Sequence, residues 1–139
     1  MRRGFTLIEL IIVIIIIGVL ATFAVPQYLT AVERAKEGKA KHALGLIAQA
    51  EKMYRAENDH YTSTLADKAA INAALTSYIE LIQIENDTDW NYATSAGTAT
   101  AFTATATRTN ATGQTCTMTI NQDGVICGSS CRTTMTACS

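Results

Sequence analysis

Histidine occurs only twice in this 139-residue chain, and basic residues do not outnumber acidic ones. No cysteine precedes Cys116. Each shortage excludes something. His42 and His60 read as residues of an exposed helix face and of the helix end; with no nucleophile and base brought together and no phosphate-cradling loop, an enzyme is not expected. His60 has no second His or Cys at ligand spacing, so it reads as a surface residue rather than a metal ligand. A formal net charge of −1 offers no bulk attraction for nucleic acid, which would need Lys and Arg gathered on one face. The densest basic group, Lys36, Lys39 and Lys41, alternates with Glu33 and Glu37 and reads as a solvated helix face. Large side chains are scarce in the last 50 residues, where Thr, Ala, Gly and Ser dominate, whereas apolar residues crowd into the first 25. Two environments are implied.

Charge is missing altogether from Leu10 to Val25, and in the 21 positions from Phe5 to Val25 the only charge is Glu9. A helix needs about 20 such residues to cross a bilayer. Arg2 and Arg3 precede the run and place the N-terminus in the cytoplasm. A conventional secretory signal has a shorter apolar region, about 7 to 15 residues, ending at a small-residue cleavage site. Ala21-Thr22-Phe23-Ala24 offers small residues, but Pro26 and a helical pattern follow without a polar cleavage region.

A carboxylate at membrane depth costs several kcal/mol unless neutralised or paired. Glu9 therefore needs an explanation. Thr6-x-x-Glu9 matches the capping box that satisfies free N–H groups at a helix start. In addition, Gly4-Phe5-Thr6-Leu7-Ile8-Glu9, behind a short basic leader, resembles the prepilin signature of type IV pilins and type II secretion pseudopilins. Pro26 falls where many of those proteins carry proline. The resemblance implies cleavage between Gly4 and Phe5 by a membrane prepilin peptidase and N-methylation of Phe5. The new amino group at Phe5 would lie near Glu9 of its own chain and could meet Glu9 of a neighbour. Such a pair, formed at low dielectric, would serve register in assembly more than net stability.

Beyond Pro26 the pattern turns amphipathic. Ala40, Ala43, Leu44, Ile47, Ala50 and Tyr54 recur at three- and four-residue spacing, so the helix is expected to continue to Asn58. Gly18 and Pro26 inside it allow either a mild bend or a stretch that loosens during extraction from the membrane. Met53 to Tyr61, with Tyr54, Glu57-Asn58 and Tyr61, is a second resemblance to the end of the long helix in many pilins. Asn58 is expected at the left-handed position that ends it.

Residues 62–85 carry Ile71, Ala74, Leu75, Tyr78 and Ile79 at helical spacing, which predicts a short helix over the sheet. Asp87-x-Asp89-x-Asn91 opens like a calcium loop, but Tyr92 and Thr98 stand where the EF-hand pattern needs Gly and Glu; an acidic turn is expected. From Thr98 to Thr109 Ala and Thr alternate with a change of phase at Phe102. Phe102, Ala104 and Ala106 would share one face of a strand, and Cys116, Met118 and Ile120 one face of the next. The threonines opposite them form a natural filament surface. Asn86-Asp87-Thr88 and Asn110-Ala111-Thr112 match the N-glycosylation pattern by what reads as chance.

Cys116, Cys127, Cys131 and Cys138 admit three disulfide pairings. A two-residue turn at Asp123-Gly124 would put Cys116 opposite Cys131 and leave Cys127 for Cys138, whereas a four-residue turn would shift the pairing. Zinc would want paired C-x2-C knuckles, which are absent.

These readings give an α+β chain: a long N-terminal helix, transmembrane and then amphipathic, packed on a small antiparallel sheet. The expected divisions are leader 1–4, membrane and filament-core helix 5–25, amphipathic continuation 26–58 and disulfide-stapled head 59–139. The resemblance implies a type IV pilus subunit that self-assembles into a helical homopolymer, with prepilin peptidase, the inner-membrane assembly platform and the membrane as partners. No cofactor, metal or nucleic acid is evident. The alternatives are a type II secretion pseudopilin, or a minor pilin binding DNA or surfaces. Residence would be single-pass in the inner membrane, then in an extracellular filament.

Overall fold

The computed structural model describes residues 4–95, 97–129 and 131. They fall into two units, residues up to Ala35 and residues from Lys36 onward. A single helix, α1, spans Leu7–Asn58. It opens two residues after Phe5, because Thr6 caps it. In the first unit its side chains from Leu7 to Ala31 are exposed. The helix is long and apolar enough to cross a membrane, and nothing in its most apolar window is buried within the chain. The helical assignment continues through Gly18 and Pro26. Proline offers no N–H to the carbonyl of Thr22; the hydroxyls of Thr22 and Thr30 donate to the carbonyls of Val19 and Pro26, at 2.6 and 3.0 Å.

In the second unit α1 buries Ala40, Ala43, Leu44, Ile47 and Ala50, the stripe that the spacing predicts. Each fully buried Leu or Ile contributes about 1.5–3 kcal/mol, and the three alanines keep the helix backbone close to what it covers. Tyr54 is half-buried. The helix ends at Asn58, but the left-handed residue is Asp59, with φ 61°, one position later than expected. Asn58 instead remains helical and donates from Nδ2 to the carbonyl of Tyr54 at 2.9 Å.

The predicted single helix over 62–85 is two helices. One, α2, spans Lys68–Leu75, with the Asp67 carboxylate accepting from Ala70 N at 2.8 Å; α3 spans Ile82–Glu85. The break follows from Thr76-Ser77, whose hydroxyls favour turns over helix interiors. Ile71, Leu75, Leu81 and Ile84 point into the core.

Four strands follow: β1 Asn91–Thr94, β2 Thr103–Thr109, β3 Thr115–Asn121 and β4 Ile126–Ser129. They pair antiparallel in sequence order. Thr98 N donates to Ala101 O at 2.8 Å in a turn, so β2 starts after the phase change at Phe102 rather than at Thr98. Phe102, Ala104 and Ala106 are buried with Cys116, Met118 and Ile120 in the same core as the α1 stripe. Thr103, Thr105, Thr107, Thr117 and Thr119 are half-exposed on the other face.

The β3–β4 connection differs from the predicted two-residue turn. Ile120 pairs with Ile126, a one-residue slip from Gln122 opposite Val125. Asn121 causes it: its side-chain oxygen accepts from the amides of Asp123 and Val125, both at 3.1 Å, which widens the turn. Gly124 and Gly128 have φ of 80° and 117°. A Cβ on Gly128 would also run into the carbonyl oxygen of Thr117.

Candidate functional site

Four places hold the residues on which function turns: the start of α1, the junction between α1 and the segment before β1, the junction at the end of α1, and the cysteines. At the start, Gly4 and Phe5 are exposed and precede the helix. Thr6 N and Thr6 Oγ1 both donate to Glu9 Oε2, at 2.9 and 2.7 Å, and Glu9 N reaches back to Thr6 Oγ1 at 3.4 Å. This is the reciprocal capping box, and it satisfies helix-start donors without any second chain. It also holds the carboxylate at the N-terminal end of α1, where a negative charge is favoured.

At the junction the supposed acidic turn is a buried charge node. Asp87 has no exposed side-chain surface, and its Oδ1 lies 3.0 Å from Lys39 Nζ. The same oxygen accepts from the amides of Asp89 and Trp90, while Oδ2 accepts from the Tyr92 hydroxyl at 2.7 Å. Asp89 pairs with Lys36 at 2.7 Å. Lys68 Nζ donates to the Asp87 carbonyl, and Trp90 Nε1 donates to the Lys36 carbonyl at 3.0 Å. Burial pushes the Asp87 pKa up, but the Tyr92 hydroxyl, Lys39 and the two amides outweigh it and hold the group below the usual carboxylate value. Burial and the bond to Asp87 raise the Tyr92 pKa. Both oxygens of Asp87 are therefore committed to donors from the chain itself. Among the described residues no group of three or more His, Cys, Asp or Glu is placed to hold a metal ion.

A second junction joins the end of α1 to the head. Glu51 is fully buried, and its carboxylate accepts from both the amide and the hydroxyl of Thr62. Tyr54 meets His60 and Tyr78 edge-on, each with ring centroids 5.8 Å apart. His60 Nδ1 donates to the Asn58 carbonyl at 2.6 Å, and the Tyr78 hydroxyl donates to Glu57 at 2.8 Å. Tyr54, Glu57, Asn58 and His60 belong to the stretch of the second resemblance.

Cys116 and Cys131 form a disulfide with Cα atoms 5.0 Å apart. Cys127 is also disulfide-bonded, and its expected partner Cys138 lies outside the described residues. Cys127 pairs in register with Thr119, on the face opposite the core, yet is only 1% exposed. Sequence reasoning missed the lysine–aspartate node, Glu51 and the inward Arg108, whose guanidinium lies 5.6 Å from the Trp90 ring. A signal for the node existed: Lys36 and Lys39 lie one helical turn apart, and Asp87 and Asp89 repeat the match.

A long apolar helix with a prepilin-like start, continuing onto a small antiparallel sheet, defines the type IV pilin class. Residues 1–25 match the family model of the prokaryotic N-terminal methylation motif. Residues 26–129 match the model described as type IV minor pilin ComP, DNA uptake sequence receptor, and the chain belongs to that family. Among curated relatives, the type IV major pilin protein PilA of Myxococcus xanthus is 45% identical over 61 residues, 44% of this chain and 28% of the relative. The type II secretion system core protein G of Escherichia coli is 43% identical over 63 residues, 45% of this chain and 43% of the relative. The type IV wide pilus major component PilA4 of Thermus thermophilus is 42% identical over 64 residues, 46% of this chain and 49% of the relative. The chain thus spans less than half the length of each of these relatives. No solved structure matches it at a significant level. The family is one of structural filament proteins rather than enzymes.

Proposed function

We propose that the chain is a structural subunit of a type IV pilus, cut after Gly4, N-methylated at Phe5, and drawn from the inner membrane into an extracellular filament. The observation that carries this reading is the helix start: a capped Glu9 directly behind Gly4-Phe5, opening an apolar helix that buries nothing within its own chain over a membrane-spanning length. Before cleavage Arg2 and Arg3 hold the N-terminus in the cytoplasm. Cleavage exchanges them for one amino charge at Phe5, close to Glu9. The processing step then creates the cation that Glu9 of the same or a neighbouring subunit can use. Prepilin peptidase and the inner-membrane assembly platform are the partners this requires.

Replacement of Glu9 by Val tests the role of the carboxylate. The variant should insert in the membrane and be processed, yet enter filaments poorly. Normal incorporation of Glu9→Val would contradict an assembly role.

The family description raises a second reading, a minor pilin that receives DNA. Charge disfavours it for this head. From Asp59 to Ser139 the chain carries seven acidic residues and three basic ones. Of the three, Lys68 is bonded to the Asp87 carbonyl, Arg108 is buried over Trp90, and Arg132 lies outside the described residues. Protein–DNA affinity rests largely on phosphate neutralisation by Lys and Arg. The pilus reading therefore assigns this subunit to the filament body. Duplex binding by the purified chain with a steep salt dependence would favour the receptor reading. A pseudopilus is the remaining alternative, since core protein G relatives share the N-terminal resemblance; the disulfide-stapled, Thr-rich head favours a pilus.

A further inference from the structure

The second unit separates its charges by surface. Helical geometry places Gly38, Lys41, Gly45, Gln49, Lys52 and Ala56 within one arc of about 80° on α1, facing away from the core stripe. All are exposed or half-exposed. No acidic residue of α1 from Lys36 onward falls in this arc. Glu37 and Glu51 are buried, and Glu57 is engaged by the Tyr78 hydroxyl. The arc is thus positive only, with a seam of small residues between its charges and Gln49.

The two glycines are unexplained by the chain's own packing. A Cβ at Gly38 or Gly45 would meet nothing within 4 Å, and glycine lowers helix propensity. Elsewhere in the unit the exposed charge is mostly acidic; Arg55, exposed on α1 outside the arc, lies over the Tyr61 ring. Lys36 and Lys39 are paired with Asp89 and Asp87, whereas Glu80 and Glu85 stand exposed on the segment from α2 to the end of α3. Asn72 Nδ2 holds the Glu85 carboxylate at 2.8 Å.

We infer that the Lys41–Lys52 face of α1 is a docking surface for a second copy of this chain, which presents Glu80 and Glu85 to it. The two patches are different surfaces of one molecule, so the contact is head-to-tail. A contact of this kind, when its rotation does not close a ring, propagates as a helical filament. The small residues at positions 38, 45 and 56 allow the incoming segment to approach the helix backbone, and the flanking lysines fix its register. Electrostatic complementarity of this sort governs specificity and encounter rate. The inference rests on the filament reading above and names the contact between subunits.

The test is charge reversal in the full-length chain, with sheared surface filaments quantified for each variant. Lys52→Glu and Glu85→Lys should each lower filament yield by about tenfold, because like charges then face each other. The combined variant, Lys52→Glu with Glu85→Lys, should recover most of the wild-type yield. Glu80→Lys with Glu85→Lys, read against Lys41→Glu with Lys52→Glu, extends the swap to both pairs. Circular dichroism and an intact disulfide pattern in each detergent-purified subunit separate assembly defects from misfolding. Normal yield of Lys52→Glu overturns the inference, as does a folded double variant that fails to recover. A Lys52→Glu chain that assembles normally but loses DNA capture would assign the face to nucleic acid and also overturn it. Wild-type chains that form no filament at all would instead overturn the pilus reading.

Discussion

At the scale of single residues, Asp87 keeps a charge in the core because donors from two elements meet it. Its lowered pKa means that the folded chain binds this proton less readily than the unfolded chain does. The stabilisation is complete above the ordinary carboxylate value and is lost as pH falls through the lower folded value. Acid should therefore destabilise the wild type below about pH 4. Asp87→Asn should cost about 2 kcal/mol near neutrality, by weakening the bonds to Lys39 and Tyr92. It should also flatten the acid dependence, as read by denaturant unfolding of the detergent-solubilised chain at several pH values. An unchanged acid limb in Asp87→Asn would place the titrating group elsewhere. Glu9 was the residue most legible from sequence, since Thr6-x-x-Glu9 names its capping partner directly. Asp87 was not, because a pair of alternating aspartates before an asparagine reads equally as a turn or a cation loop until Lys36 and Lys39 are seen opposite it.

At the scale of elements, the sheet depends on alternation that the sequence displays openly. Ala and Thr at period two give β2 its two faces, and Cys116, Met118 and Ile120 do the same for β3. The short β1 is silent by comparison. Its four residues, Asn91–Thr94, contain a tyrosine that faces Asp87 and no alternation long enough to register. The helix break at Thr76-Ser77 was hidden by apolar residues that keep helical spacing across it. The β3–β4 turn slipped by one residue because Asn121 folds its side chain into the turn, an interaction that pattern reasoning at Asp123-Gly124 does not weigh. Two predictions belong here. Loss of the Cys116–Cys131 bridge, which joins residues 15 apart, should lower stability by about 3 kcal/mol; Cys116→Ser with Cys131→Ser tests this by thermal unfolding. Gly128→Ala should lower the melting temperature clearly, because it combines a disfavoured φ with a clash against Thr117. An unaffected melting temperature would mean that β4 re-registers without cost.

At the scale of the whole molecule, the chain combines a length of helix that buries nothing of its own with a second unit whose core is complete. A contiguous exposed apolar surface of this kind marks a membrane or protein contact, and the proposed life of the subunit uses both in turn. Charge segregation in the second unit supplies the direction in which copies would meet. In the proposed processing the leader is the switch between the two states: Arg2 and Arg3 would orient the helix, and their removal would supply the amino group for Glu9. Intact-mass and peptide mass spectrometry of sheared surface filaments tests this most directly. The account predicts subunits that begin at Phe5, carry one added methyl group on its nitrogen, and retain the cysteines as disulfides. Filament subunits that still begin at Met1 would contradict it.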